Sequence, residues 1–88
     1  MSQPVIFKED TEILPVGWDY APETVSSAVI TIDPPGLDKE GSEVIGGSRV
    51  KQSVKNGTAG QFYEVIFEVT THEGNIYIDK IFISVYSA

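Results

Sequence analysis

The sequence predicts an all-β domain in which short antiparallel strands pack as a sandwich or barrel. Three observations carry the expectation. The last third alternates apolar and polar side chains with a period of two, which is the spacing of a strand and not of a helix. Turn-forming pairs and clusters punctuate the rest at short intervals. No window combines a helical period with caps, and the single candidate, Glu9 to Leu14, is too short to stand alone.

From the N-terminus, Val5-Ile6-Phe7 reads as a short edge strand or an arm. Ile13-Leu14 starts a second apolar stretch, but Pro15 and Gly17 keep it out of the centre of a sheet. Ser27 to Ile32 is a strand, ended by Asp33-Pro34-Pro35-Gly36 because consecutive prolines cannot donate to a ladder. Val44 to Val54 is predicted as one strand, with Gly46-Gly47 inside it and an alternation at Val50, Gln52 and Val54. Asn56-Gly57 is a strong turn signal before the C-terminal hairpin. The predicted domain limits are 1–10 for an N-terminal arm or edge strand and 11–88 for the sandwich.

The hairpin is the clearest element. In Gln61 to Thr71 the residues Tyr63, Val65, Phe67 and Val69 point one way, and Phe62, Glu64, Ile66 and Glu68 the other. The first set is expected inside; the second is mixed enough to face solvent or a partner. After the polar connection Thr71-His72-Glu73-Gly74-Asn75, Ile76 to Tyr86 supplies the returning strand. Its apolar phase changes: Ile76 and Ile78 share one parity, and Ile81, Ile83 and Val85 the other. A β-bulge at Asp79-Lys80 would bring both sets to one face. The alternative is a strand buried on both sides.

Composition narrows the function classes. At 88 residues the chain fills one core and has little material left for a cleft between lobes. Without cysteine it has no disulfide, thiolate metal site or thiol nucleophile. Met1-Ser2-Gln3-Pro4 lacks the basic flank and apolar core of a signal peptide, and no apolar run approaches a membrane span, so the expectation is a soluble, untargeted chain. The net charge of −7 lies entirely in the first half, where residues 1–44 hold nine acids and two bases. Phosphate backbones repel such a chain, which disfavours nucleic-acid binding. A solvated acidic face is the expected use of the charge.

No constellation singles out chemistry. His72 is the sole histidine, in a loop, with no orienting partner visible in sequence. The acidic groups Glu9-Asp10-Glu12 and Asp33, Asp38, Glu40, Glu43 lack the alternate-position spacing of a calcium loop. Asn56-Gly57-Thr58 matches a glycosylation sequon, although turn formation already explains it. The glycines form no phosphate loop. No catalytic, cofactor or metal residue is assigned. Aromatic residues are numerous enough that some must lie near the surface if Tyr63 and Phe67 fill the core, which suits a protein contact or a sugar platform. Val5, Phe7, Trp18, Tyr20 and Tyr77 are the partner-contact candidates.

Read in order, Thr24-Val25-Ser26-Ser27-Ala28, Pro35-Gly36-Leu37, Gly57-Thr58-Ala59-Gly60 leading to Tyr63, then Thr70-Thr71 and Gly74 form a pattern. It resembles the small immunoglobulin-like structural proteins encoded among the head and tail genes of tailed bacteriophages and prophages. The resemblance covers roughly residues 11–86. Two departures stand out: an Asp-Trp pair of the family appears here as Trp18-Asp19, and Val29-Ile30 stands where the family often has tryptophan. The resemblance implies an immunoglobulin-like antiparallel β-sandwich of about seven short strands, with Tyr63 in a tyrosine-corner role. It also implies a non-enzymatic virion component, made in the bacterial host cytoplasm, that acts as a capsid decoration, head-tail junction or tail-associated module. Its expected partners are capsid, neck or tail subunits or its own copies, with no cofactor, nucleic acid or membrane. An N-terminal arm could add a strand to a neighbouring subunit. The rival expectation is a carbohydrate- or receptor-binding module of the same architecture.

Overall fold

A computed structural model describes residues 4–88. Residues 1–3 of the predicted arm lie outside the described residues. Seven strands follow one another: β1 (Val5–Glu9), β2 (Leu14–Asp19), β3 (Val25–Asp33), β4 (Leu37–Gly46), β5 (Arg49–Asn56), β6 (Phe62–Thr71) and β7 (Ile76–Tyr86). They form a four-stranded sheet in the order β1-β7-β6-β3 and a three-stranded sheet in the order β2-β5-β4. The described chain is therefore all-β, with the two layers of a β-sandwich. Four of the five strand pairs are antiparallel and β1 runs parallel to β7, so the sandwich is not antiparallel throughout.

The core follows from alternation. Tyr63, Val65, Phe67 and Val69 of β6 and Ile81, Ile83 and Val85 of β7 are buried against Val50 and Val54 of β5, Val16 of β2 and Ile30 of β3. Burying a branched or aromatic side chain of this kind contributes roughly 1.5–3 kcal/mol. Stability therefore rests on these inward positions. The hairpin forms as its sequence predicts, with Thr71 N–H donating to Asn75 O at 2.9 Å across the turn.

Three readings of the sequence need correction. The predicted strand Val44 to Val54 is two strands: Gly47, at φ 61, and Ser48 turn the chain, and Gly46 pairs with Arg49. β4 was not expected, because Asp38 to Glu43 is too polar to look like a strand. It is an edge strand held by β5, with an irregularity between Glu40 and Val44 where the buried Gln52 amide donates to Gly41 O at 3.0 Å. The expected bulge at Asp79-Lys80 is absent. β7 pairs with β6 in unbroken register from Ser84 opposite Phe62 to Ile76 opposite Thr70. Ile76 and Ile78 consequently point out of the sandwich, and Tyr77 and Asp79 point in.

Two lysines clip the layers together. Lys8 of β1 is fully buried, and its ammonium donates to Asn56 O of β5 and Glu9 O, both at 2.7 Å. Lys39 of β4 donates to Ile30 O of β3 at 3.1 Å. Charged donors of this kind make stronger hydrogen bonds than neutral ones. At the β5–β6 junction the buried Tyr63 hydroxyl accepts Thr58 N–H at 2.9 Å, a tether from a tyrosine to backbone just upstream.

Candidate protein-binding surface

The outer face of the four-stranded sheet collects the residues that alternation turns away from the core. Register places them in rows. Val5, Phe82, Glu64 and Asp33 form one row, and Phe7, Ser84 and Phe62 the next. On the other side of the first row come Lys80, Ile66 and Thr31, then Ile78, Glu68 and Val29, then Ile76 and Thr70. Phe7 is 68% exposed, Ile76 65%, Ile78 63%, Phe62 62% and Val29 59%. A single exposed apolar side chain is ordinary; a set spread over four strands, with Glu64, Lys80 and Glu68 among it, is a candidate contact surface.

The charged residues on this face are mostly acidic. Glu9, Asp33, Glu64 and Glu68 lie outward against one base among the described residues, Lys80, whose ammonium is 3.7 Å from Glu64. Asp33 and Glu64 are direct cross-strand partners, an arrangement of like charges that is unfavourable by itself. Tyr86 borders the acids: partial burial and then the Glu9 and Glu12 carboxylates raise its phenol above the ordinary value.

The opposite face, on the three-stranded sheet, is charged and carries two ion pairs of its own. Arg49 Nε lies 3.2 Å from Asp19 Oδ2, and Lys55 Nζ 2.7 Å from Glu40 Oε2. Ser48 hydroxyl, the Ala21 amide and Arg49 hold the Asp19 carboxyl below the usual range, and Glu40 raises Lys55. Exposed pairs of this type contribute little to stability. A shallow groove of about 410 Å³ runs along β2 and β5 between Pro15–Asp19 and Arg49–Lys51.

One end of the sandwich is sealed by polar aromatics. Tyr20 and Tyr77 rings pack at 5.4 Å between centroids. Tyr20 hydroxyl donates to Asp79 Oδ2 at 2.8 Å, and burial followed by that carboxylate pushes its phenol up. Tyr77 hydroxyl donates to Glu23, which also accepts Asn75 Nδ2 at 2.6 Å and Thr71 Oγ1 at 3.0 Å. Those donors, Tyr77 first, hold the Glu23 carboxyl below its usual value.

The partner-contact candidates thus divide. Val5 and Phe7 lie together on the outer face of the four-stranded sheet. Trp18 packs against the core, and Tyr20 and Tyr77 are half-buried with their hydroxyls engaged in the end seal. Phe62, Val29, Ile76, Ile78 and Phe82 share the face with Val5 and Phe7 and were not among the candidates. The parity change in β7 was the signal that could have found Ile76 and Ile78. His72 is exposed in the β6–β7 turn, with its backbone N–H donating to Thr24 O at 2.9 Å. Among the described residues no three His, Asp or Glu side chains converge to hold a metal. What the geometry offers is a face of exposed apolar side chains interspersed with acids.

A family model described as "Podophage GP4 fiber-tail adaptor protein gp77" matches residues 8–84 of the chain. No curated protein matches it.

Proposed function

The chain belongs to the podophage GP4 fiber-tail adaptor family of bacteriophage virion structural proteins, and on that premise we propose that it is a non-enzymatic adaptor seated between tail and fibre, acting only through protein contacts. The observation that carries the reading is the exposed apolar face of the four-stranded sheet. An adaptor must bury surface against its neighbours, and this face exposes Phe7, Phe62, Val29 and Ile78, apolar side chains whose burial would drive such a contact. A tail-associated position agrees with the family description better than capsid decoration or a head-tail junction does.

The immunoglobulin-like reading of the sandwich is supported by strand order. β2-β5-β4 follows the B-E-D order of an immunoglobulin sheet and β3-β6-β7 the C-F-G order, with β1 beside the last strand. The carbohydrate-binding alternative has less support. Stacking on a sugar needs free ring faces, and Tyr20 and Tyr77 pack on each other instead.

The test is genetic and visual. Phage carrying a deletion of this gene should assemble heads and tails but lack fibres by electron microscopy, and the gene supplied in trans should restore them. Fibres retained on the deletion particles would reject the adaptor role.

A further inference from the structure

We propose that the outer face of the four-stranded sheet is occupied by a different virion protein, one whose contact surface presents aliphatic or aromatic side chains interspersed with lysine or arginine, and not by a second copy of this chain. The inference rests on the adaptor reading and adds to it the surface used and the chemistry of its occupant.

Size supports a true interface. Four strands spaced ~4.8 Å apart and rising ~3.3 Å per residue give a face of roughly 500–600 Å² in projection. Corrugated by side chains, that approaches the roughly 800 Å² each partner contributes to a stable contact. The apolar content is high for a free surface, since Phe7, Val29, Phe62 and Ile78 are each more than half exposed.

Charge selects the occupant. The face carries four outward acids against Lys80 alone among the described residues, and Asp33 stands directly opposite Glu64. Two such faces brought together about a two-fold axis would enclose eight acids against two bases, a charge imbalance that suppresses association. Basic side chains set among the apolar ones of a different protein would instead relieve the Asp33–Glu64 opposition and pair Glu68, which lies between Ile78 and Val29. On the three-stranded sheet of another copy Arg49 and Lys55 are already paired with Asp19 and Glu40, which leaves Lys51 as the one outward base without an ion-pair partner among the described residues, against four acids.

The experiment uses the full chain and two purified probes from the phage that encodes it: the fibre protein, and tail particles lacking fibres. Binding of each is measured by interferometry at several salt concentrations for the wild type, Ile78→Ser, Glu68→Lys and, as a control on the other face, Lys51→Glu. Melting curves establish that all are folded, and sedimentation reports self-association. The expected result is a monomer that binds at least one probe, weakened at least tenfold by Ile78→Ser and by Glu68→Lys but not by Lys51→Glu, with a shallower salt dependence in Glu68→Lys. If the wild type binds a probe and both face variants bind it equally well, the surface assignment is overturned while the adaptor role stands. A wild-type dimer abolished by Ile78→Ser assigns the face to a second copy and also overturns the proposal. Binding to neither probe removes the adaptor reading itself.

Discussion

Replacing Tyr63 with phenylalanine deletes one oxygen from the β5–β6 junction and leaves the ring in place. That oxygen accepts Thr58 N–H at 2.9 Å. The ring is hemmed in by two glycines: a Cβ on Gly36 would lie 2.9 Å from the hydroxyl oxygen, and one on Gly57 3.5 Å from the ring. Because the ring stays, no cavity large enough to matter opens, and the change is close to the loss of one neutral hydrogen bond. Such a bond contributes about 0.5–1.5 kcal/mol net, and Thr58 is exposed, so water recovers part of it. The expected loss is therefore about 1 kcal/mol, which for a domain of this size lowers Tm by about 4–8 °C. Urea unfolding followed by Trp18 fluorescence should show a lower midpoint at unchanged slope. Tyr63→Ala, which also removes the ring, should lose about 3–5 kcal/mol. Equal stability of Tyr63→Phe and the wild type, within about 0.3 kcal/mol, would refute the role assigned to the hydroxyl. A changed slope would show that the substitution altered more than this contact.

Three other perturbations probe separate parts of the sandwich. In Gly17→Ala the new Cβ would stand 2.1 Å from Val50 O, so β2 must lift from β5; the expected loss is about 1–3 kcal/mol with faster amide exchange along β2, and an alanine variant as stable as wild type would disprove the close approach. Lys8→Ala removes the hydrogen bond that bridges the layers to Asn56 O, the local one to Glu9 O and the buried stem, and chemical denaturation should register a loss of about 2–4 kcal/mol; no loss would mean that the clip is idle. Glu23 has a folded-state pKa below its unfolded value, so its contribution is fully present above about pH 4.5 and fades as acid drives the pH down through the folded value. Glu23→Gln should therefore be less stable than wild type at pH 7 and show a smaller fall in Tm between pH 5 and 3; parallel curves for the two proteins would sink the assignment.

Much of the fold was legible from residues that act locally. β6 and β7 emerge from period-two alternation, and Pro15 and Gly17 correctly place β2 at a sheet edge. β4 was not legible, because an edge strand paired on one side can be built from Asp38, Lys39, Glu40 and Gly41 when its neighbour supplies the ladder. The break at Gly47-Ser48 was passed over because the apolar pair Val44-Ile45 before it and the alternation of Val50, Gln52 and Val54 after it both suit a strand. The proposed binding face was half legible: the mixed outward set of β6 suggested a partner, and of the five candidate contacts Val5 and Phe7 lie on that face while Trp18, Tyr20 and Tyr77 are half-buried elsewhere.

The sequence by itself determined that this chain would be strands and turns, and which parity of β6 would be buried, because side-chain direction in a strand is fixed by the backbone alone. Only the tertiary structure decided what covers each side of β7. Its apolar parity changes at Asp79 and Lys80, and alternation cannot tell a bulge from a change of face. With the register unbroken, Tyr20 receives Asp79 on the inside, and Ile76 and Ile78 are left on the outside. Burial depends on what lies opposite, which a strand's own residues do not record.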